Sequence, residues 1–158
     1  MSLRGDFGVH LVAYELMRRG WEVALNQGII MKAMNREIQG YDILAKKKGR
    51  TKRIEVKFID SFLKRGSYRK QLRQRVTPEE RKQCDAIIVV VYGSTNHKIY
   101  GSTNHKIYII PKSKFKEVFY SKNTIAIYNG EKESKDKMSK FMVKEGSDWD
   151  KILLRSSR

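Results

Sequence analysis

The chain holds one cysteine, Cys84, in 158 residues. A single thiol excludes an internal disulfide and a thiolate zinc cage. No apolar run approaches the roughly 20 residues that a membrane span needs, and the N-terminal segment lacks a signal-peptide pattern. The expectation is an intracellular protein with no membrane partner. Low-complexity linkers are missing too, so residues 1–158 read as a single domain.

Acidic residues are scarce: 17 Asp and Glu stand against 34 Lys and Arg, a formal net charge of +17. The excess is uneven. Residues 45–75 carry 13 basic and 2 acidic side chains, whereas residues 1–44 carry five of each. Clustered cations point to a polyanion, because each phosphate they neutralise releases counterions. DNA is the expected partner, and a solvated lysine-rich surface is the plain alternative. An anionic membrane surface fits less well, since no basic amphipathic helix with a wide apolar face accompanies the cluster.

What is present reads as mixed α/β. Asp6–Arg19 has helical length with apolar residues on more than one side, and Gly20 is placed to cap it. "WEVAL" (21–25) reads as a strand, residues 26–40 as a polar loop with a short helix near 31–36. Two strands follow, 41–45 and 52–59, then a basic, weakly patterned segment, 60–76. Thr77, Pro78 and Glu80 form a helix start with a capping box. "DAIIVVVY" (85–92) is the clearest buried strand. Next "YGSTNHKI" occurs twice without a change, at 92–99 and 100–107, and with one copy removed the region is an ordinary hairpin with a polar turn. The second copy therefore reads as a recent duplication accommodated at the hairpin tip. A short helix is expected at 113–119, a strand running into an Asn-Gly turn at 123–130, and a last helix capped by Ser147 with Asp150 three residues on.

The hairpin at 41–59 carries the chemistry. Strand alternation turns Ile54, Val56 and Phe58 to the core and Arg53, Glu55 and Lys57 to the other face. A turn centred on Lys48-Gly49 pairs residues whose numbers sum to 97, which sets Asp42 opposite Glu55. A four-residue loop from Lys47 to Arg50 keeps the same register. Facing carboxylates on neighbouring strands repel, with Cβ atoms roughly 5 Å apart. A divalent cation turns that clash into a binding site. Mg²⁺ takes one or two carboxylates plus water and phosphate oxygens, and the backbone carbonyl of Val56 is a further candidate ligand. Lys57 lies on the face of Glu55, placed to orient or deprotonate an attacking water or to stabilise charge developing on a phosphate. The residues alone leave a second arrangement open, an exposed hairpin side on which Glu55 pairs with Arg53, Lys57 or another basic neighbour.

"GYDILAKKKGRTKRIEVK" (40–57) resembles the catalytic hairpin of the PD-(D/E)XK nuclease superfamily, which includes restriction endonucleases, archaeal Holliday-junction resolvases and some homing endonucleases. "GVHLVAYELMRRGWEVALN" (8–26) is similar to the helix and first strand that precede it there, so the resemblance spans residues 5–59, and the later strands match more loosely. It implies a restriction-endonuclease-like mixed central β-sheet flanked by helices. It further implies Asp42 and Glu55 as metal ligands and Lys57 as the catalytic lysine. Tyr41 stands where the motif has proline, a variation the superfamily tolerates. Many members carry a glutamate on the first helix; that slot falls on His10 here, while Asp6, one turn earlier, can face the same side and Glu15 cannot.

The expected function is a Mg²⁺-dependent DNA endonuclease, with Mn²⁺ able to substitute. Lys64, Arg65, Arg69, Lys70, Arg73 and Arg75 are the candidates for gripping DNA. A homodimer or higher homo-oligomer is expected, since symmetric cutting of two antiparallel strands needs two active sites. The rival is a non-catalytic nucleic-acid-binding protein with a nuclease-like fold.

Overall fold

The structure, a computed structural model, describes residues 3–26, 40–60, 71–92, 105–128, 137–143 and 148–155. The first helix, α1 (Leu3–Met17), ends in a glycine cap. Gly20 has φ +82°, its N–H donates to the Met17 carbonyl at 2.9 Å, and the Trp21 N–H reaches back to Leu16 at 3.1 Å. That pair of bonds reverses the chain into β1 (Glu22–Leu25). The short helix expected near 31–36 lies outside the described residues.

Strands β2 (Ile43–Lys47) and β3 (Arg50–Asp60) form a hairpin closed by Lys48 and Gly49. Both turn residues have positive φ, +51° and +70°. A two-residue hairpin needs that twist, and Gly49 supplies half of it without strain. The pairs run from Lys47–Arg50 to Ile43–Ile54, the register that the turn residues predict.

Beyond β3 the chain forms β4 (Gln71–Arg75) and α2 (Pro78–Gln83), then returns as β5 (Ala86–Tyr92), parallel to β3. β6 (His105–Pro111) pairs antiparallel with β5 and completes a five-stranded mixed sheet, β1-β2-β3-β5-β6. Tyr92 pairs with His105, so β5 ends on the first octapeptide copy and β6 begins with the last three residues of the second. Removing eight residues would leave Gly-Ser-Thr-Asn as the loop and every pair intact. The tip itself, 93–104, lies outside the described residues.

After β6 come a 3₁₀ turn (Lys112–Lys114), α3 (Phe115–Val118), β7 (Phe119–Ser121) and β8 (Thr124–Tyr128). β4, β8 and β7 make a second sheet of three strands, which the sequence does not announce. Its edge strand reads "QLRQR", too polar to show a pattern; the buried Ile125 and Ile127 of its partner β8 hold it.

Helix α4 (Trp149–Arg155) closes the chain, and its cap differs from expectation. The Asp148 carboxylate accepts from the Lys151 N–H at 3.0 Å, whereas Ser147 lies outside the described residues. Aspartate is as good a cap as serine, and one residue decides which oxygen reaches the open N–H.

The central sheet is buried on both faces. On one face α1 and α4 cover Ile43, Ile54, Val56, Ile88 and Ile109 with Val12, Leu16, Trp149 and Leu153. On the other, Ile87, Val89 and Ile110 meet Phe115, Val118, Ile125 and Ile127. Each such side chain contributes about 1.5–3 kcal/mol. Burial of both faces explains why β5 reads as a continuous apolar run. No described helix is long and apolar enough to cross a membrane.

Candidate active site

The site grows from the open end of the β2–β3 hairpin. The Asp42 N–H donates to the Ile54 carbonyl at 2.9 Å, just past the last ladder pair, Ile43–Ile54. The Asp42 carboxylate then reaches across: Oδ2 accepts from the Val56 N–H at 2.8 Å. The N–H and C=O of one strand residue face the same edge, so the Val56 carbonyl is turned to the side where β2 has ended.

Glu55 is 5% exposed. Its neighbour Arg53 is occupied elsewhere, donating Nε and Nη2 to Asp85 at 3.2 Å each. Lys57 is therefore the cation that meets Glu55, with Nζ 2.8 Å from Oε1. The same ammonium lies 2.9 Å from Glu80 Oε1. Glu80 closes the capping box of α2: its Oε2 accepts from the Thr77 N–H at 2.8 Å, and its own N–H donates to Thr77 Oγ1 at 3.2 Å. One carboxylate thus caps a helix with one oxygen and holds Lys57 with the other.

Glycine makes this approach possible. A Cβ on Gly40 would lie 2.7 Å from Glu80 Cα and 2.8 Å from the Glu79 carbonyl oxygen. Only a residue without a side chain lets the strand that leads to Asp42 run against α2. The Gly40 N–H donates to Gln83 Oε1 at 2.6 Å, tying the two segments together.

The charges do not balance. Asp42, Glu55 and Glu80 face one ammonium, a net of −2 with every group ionised. Burial, with the negative charge of Asp42 added, pushes Glu55 up to about 8, against the pull of Lys57. Burial also raises Asp42, opposed by the Val56 N–H and Lys57, while Glu80 and Asp6 add to the rise. Burial alone would lower Lys57, but the charge and hydrogen bonds of Glu55 and Glu80 outweigh it and hold the ammonium above its usual range. A divalent cation would cancel the excess.

Asp42 spends Oδ2 on Val56 and Glu55 spends Oε1 on Lys57, so Asp42 Oδ1 and Glu55 Oε2 are the oxygens that could hold a cation. Among the described residues no group of three or more His, Cys, Asp or Glu side chains is placed to hold a metal ion, so a cation bound here would rest on two carboxylates completed by water and phosphate oxygens.

Of the two candidates on α1, Asp6 is partly buried and its charge acts on Asp42, whereas His10 is exposed. Arg73 and Arg75 are exposed at alternate positions of β4, an edge strand, and so share one face. Lys64, Arg65, Arg69 and Lys70 lie outside the described residues. Glu80 is the site residue that the sequence did not reveal. Its only signal was the capping box, and a local cap says nothing about what the other oxygen touches.

No family model matches the chain, and no curated protein matches it by sequence. Among solved structures it is similar to a bacterial homing endonuclease, I-Ssp6803I, with a TM-score of 0.61 at 16% identity, over 98% of this chain and 92% of that one. The fold is thus mixed α/β, a five-stranded mixed central sheet flanked by helices, and is similar to that of this homing endonuclease.

Proposed function

We propose that the protein is a Mg²⁺-dependent DNA endonuclease of the PD-(D/E)XK type. The observation that carries this reading is the convergence of Asp42, Glu55 and Lys57 on one hairpin face, in a fold similar to that of a homing endonuclease. Asp42, Glu55 and the Val56 carbonyl would hold Mg²⁺, and Mn²⁺ would substitute. When bound, the cation supplies Lewis-acid stabilisation to an in-line displacement by water at phosphorus.

The chain's own residues do the rest. Lys57, bracketed by Glu55 and Glu80, serves as a cation rather than a base: its ammonium orients the attacking water or stabilises charge developing on the phosphate. Glu80 would hold Lys57 in place were Glu55 to bind a cation. Asp6 is the α1 residue best placed to support the site. Arg73 and Arg75, with the basic residues 64–70 before them, would grip the backbone. Two copies would address the two antiparallel strands, and the exposed Phe7, Tyr14 and Met17 of α1 offer apolar surface for pairing.

Incubation with supercoiled plasmid and Mg²⁺ tests the reading. Nicked and linear products are expected. DNA bound without cleavage would select the non-catalytic alternative. A comparison of four-way junctions with linear duplex then separates a resolvase from a restriction-type or homing-type enzyme.

A further inference from the structure

On the side of α2 away from the site lies a groove of about 470 Å³. Glu80 points to Lys57, and at 100° per residue Arg81, Lys82 and Pro78 are turned by about 100°, 200° and 160° from it. These three form one wall. Lys112 and Lys116 form the second, and the β7–β8 turn, Lys122 and Asn123, forms the third. Phe115, 5% exposed, lies at the base.

Five cations line this groove and no carboxylate does. Two of them donate to backbone carbonyls, which does not cancel their charge: Lys112 Nζ to the Lys82 carbonyl at 2.6 Å, and Arg81 Nη1 to the Lys122 carbonyl. The Arg81 guanidinium also rests 4.0 Å over the Phe119 ring, which fixes its direction. Other cations do have carboxylate partners, as at Arg53–Asp85 and Lys47–Asp150. Five unneutralised cations around one concavity repel one another unless an anion enters.

The groove adjoins β4. Arg75 pairs with Thr124, and the Val76 N–H donates to the Asn123 carbonyl at 2.8 Å, so β4, which carries the exposed Arg73 and Arg75, leads to the groove's third wall. We propose that this groove is a second phosphate-binding site, which takes the sugar–phosphate backbone of bound nucleic acid away from the phosphate addressed by Asp42 and Glu55. It rests on the nuclease reading for its partner. α2 is then a wedge between two phosphate contacts, with Glu80 on one flank and Arg81 and Lys82 on the other.

The test uses the whole chain, with duplex DNA in EDTA so that no cleavage occurs. Lys116→Gln/Lys122→Gln removes two groove charges. Lys151→Gln/Arg155→Gln removes two from α4, which packs in the core on the opposite face of the sheet. The slope of log K against log [salt] should become shallower by about 1.8 in the groove variant and stay near that of the unsubstituted protein in the α4 variant. Duplex should also shield Lys82 from acetylation. Equal slopes for the groove variant and the unsubstituted protein overturn the proposal. So does shielding of Lys82 by an octa-aspartate peptide but not by duplex, which would make the groove a dock for an acidic protein. A protein that cleaves DNA with an unchanged groove-variant slope loses this proposal alone. One that shows the groove-dependent slope but never cleaves loses the nuclease reading alone. Failure to bind duplex at all removes both.

Discussion

Replacing Glu55 by glutamine should stabilise the metal-free protein while abolishing its activity. Glu55 is 5% exposed and its carboxyl is raised to about 8, from an ordinary 4.5. A raised acid pKa means that the folded state binds the proton more tightly than the unfolded state does. The associated stability is complete below pH 4.5 and is lost as pH rises through 8. At about 1.4 kcal/mol per unit, this group costs about 3 kcal/mol at pH 7 and about 4–5 kcal/mol above pH 8. Glutamine mimics the protonated acid and carries no such cost. Urea melts of both proteins in EDTA, from pH 4.5 to 9, should show curves that nearly coincide at the acid end. They should separate with rising pH, the Glu55→Gln variant being the more stable. Mg²⁺ at pH 8 should narrow the gap by stabilising the unsubstituted protein alone. Parallel curves across the range, or a variant less stable at pH 8.5, would refute the reasoning and make Glu55 an ordinary ion-paired carboxylate.

Other perturbations have equally definite outcomes. Gly40→Ala forces a methyl against the α2 backbone and should lower stability by about 1–3 kcal/mol, read by urea melts, with cleavage falling as Asp42 and α2 separate. Glu80→Gln keeps an acceptor for the Thr77 N–H but removes the charge from Lys57, so the cleavage rate should drop about tenfold with the melting temperature little changed; Glu80→Ala should in addition cost about 1 kcal/mol as the cap is lost. Cys84 is buried and its thiol is pushed up to about 12, chiefly by burial, so the native protein at pH 8 should not react with a thiol reagent and the urea-unfolded chain should react at once.

The hairpin was legible because its determinants are local. Gly49 fixes the turn, alternation fixes the faces, and together they give the register from Lys47–Arg50 to Ile43–Ile54 that brings Asp42 to the end of the hairpin. β5 was legible because burial on both faces leaves a continuous apolar run. Glu80 was not, since a capping box describes six residues of α2 and nothing of its docking across Gly40, forty residues earlier in the chain. β4 escaped because its position comes from backbone pairing to β8, and backbone pairing leaves no trace in "QLRQR". Asp6 and His10 share a helix face in sequence, and only the rotation of α1 against the hairpin edge decides which charge acts on Asp42. The basic groove was invisible for a similar reason: its cations come from three separate segments, none of which is a charge cluster by itself.

The central claim is that Asp42, Glu55 and Lys57 cleave DNA together. The most direct measurement is single-turnover cleavage of a bound duplex in Mg²⁺ by Asp42→Ala, Glu55→Gln and Lys57→Ala, with duplex affinity measured in parallel by fluorescence anisotropy. Each substitution should slow cleavage by at least about a hundredfold while affinity stays within about fivefold, because binding rests on cations elsewhere. Cleavage within tenfold of the unsubstituted rate in any one of the three would contradict the assignment.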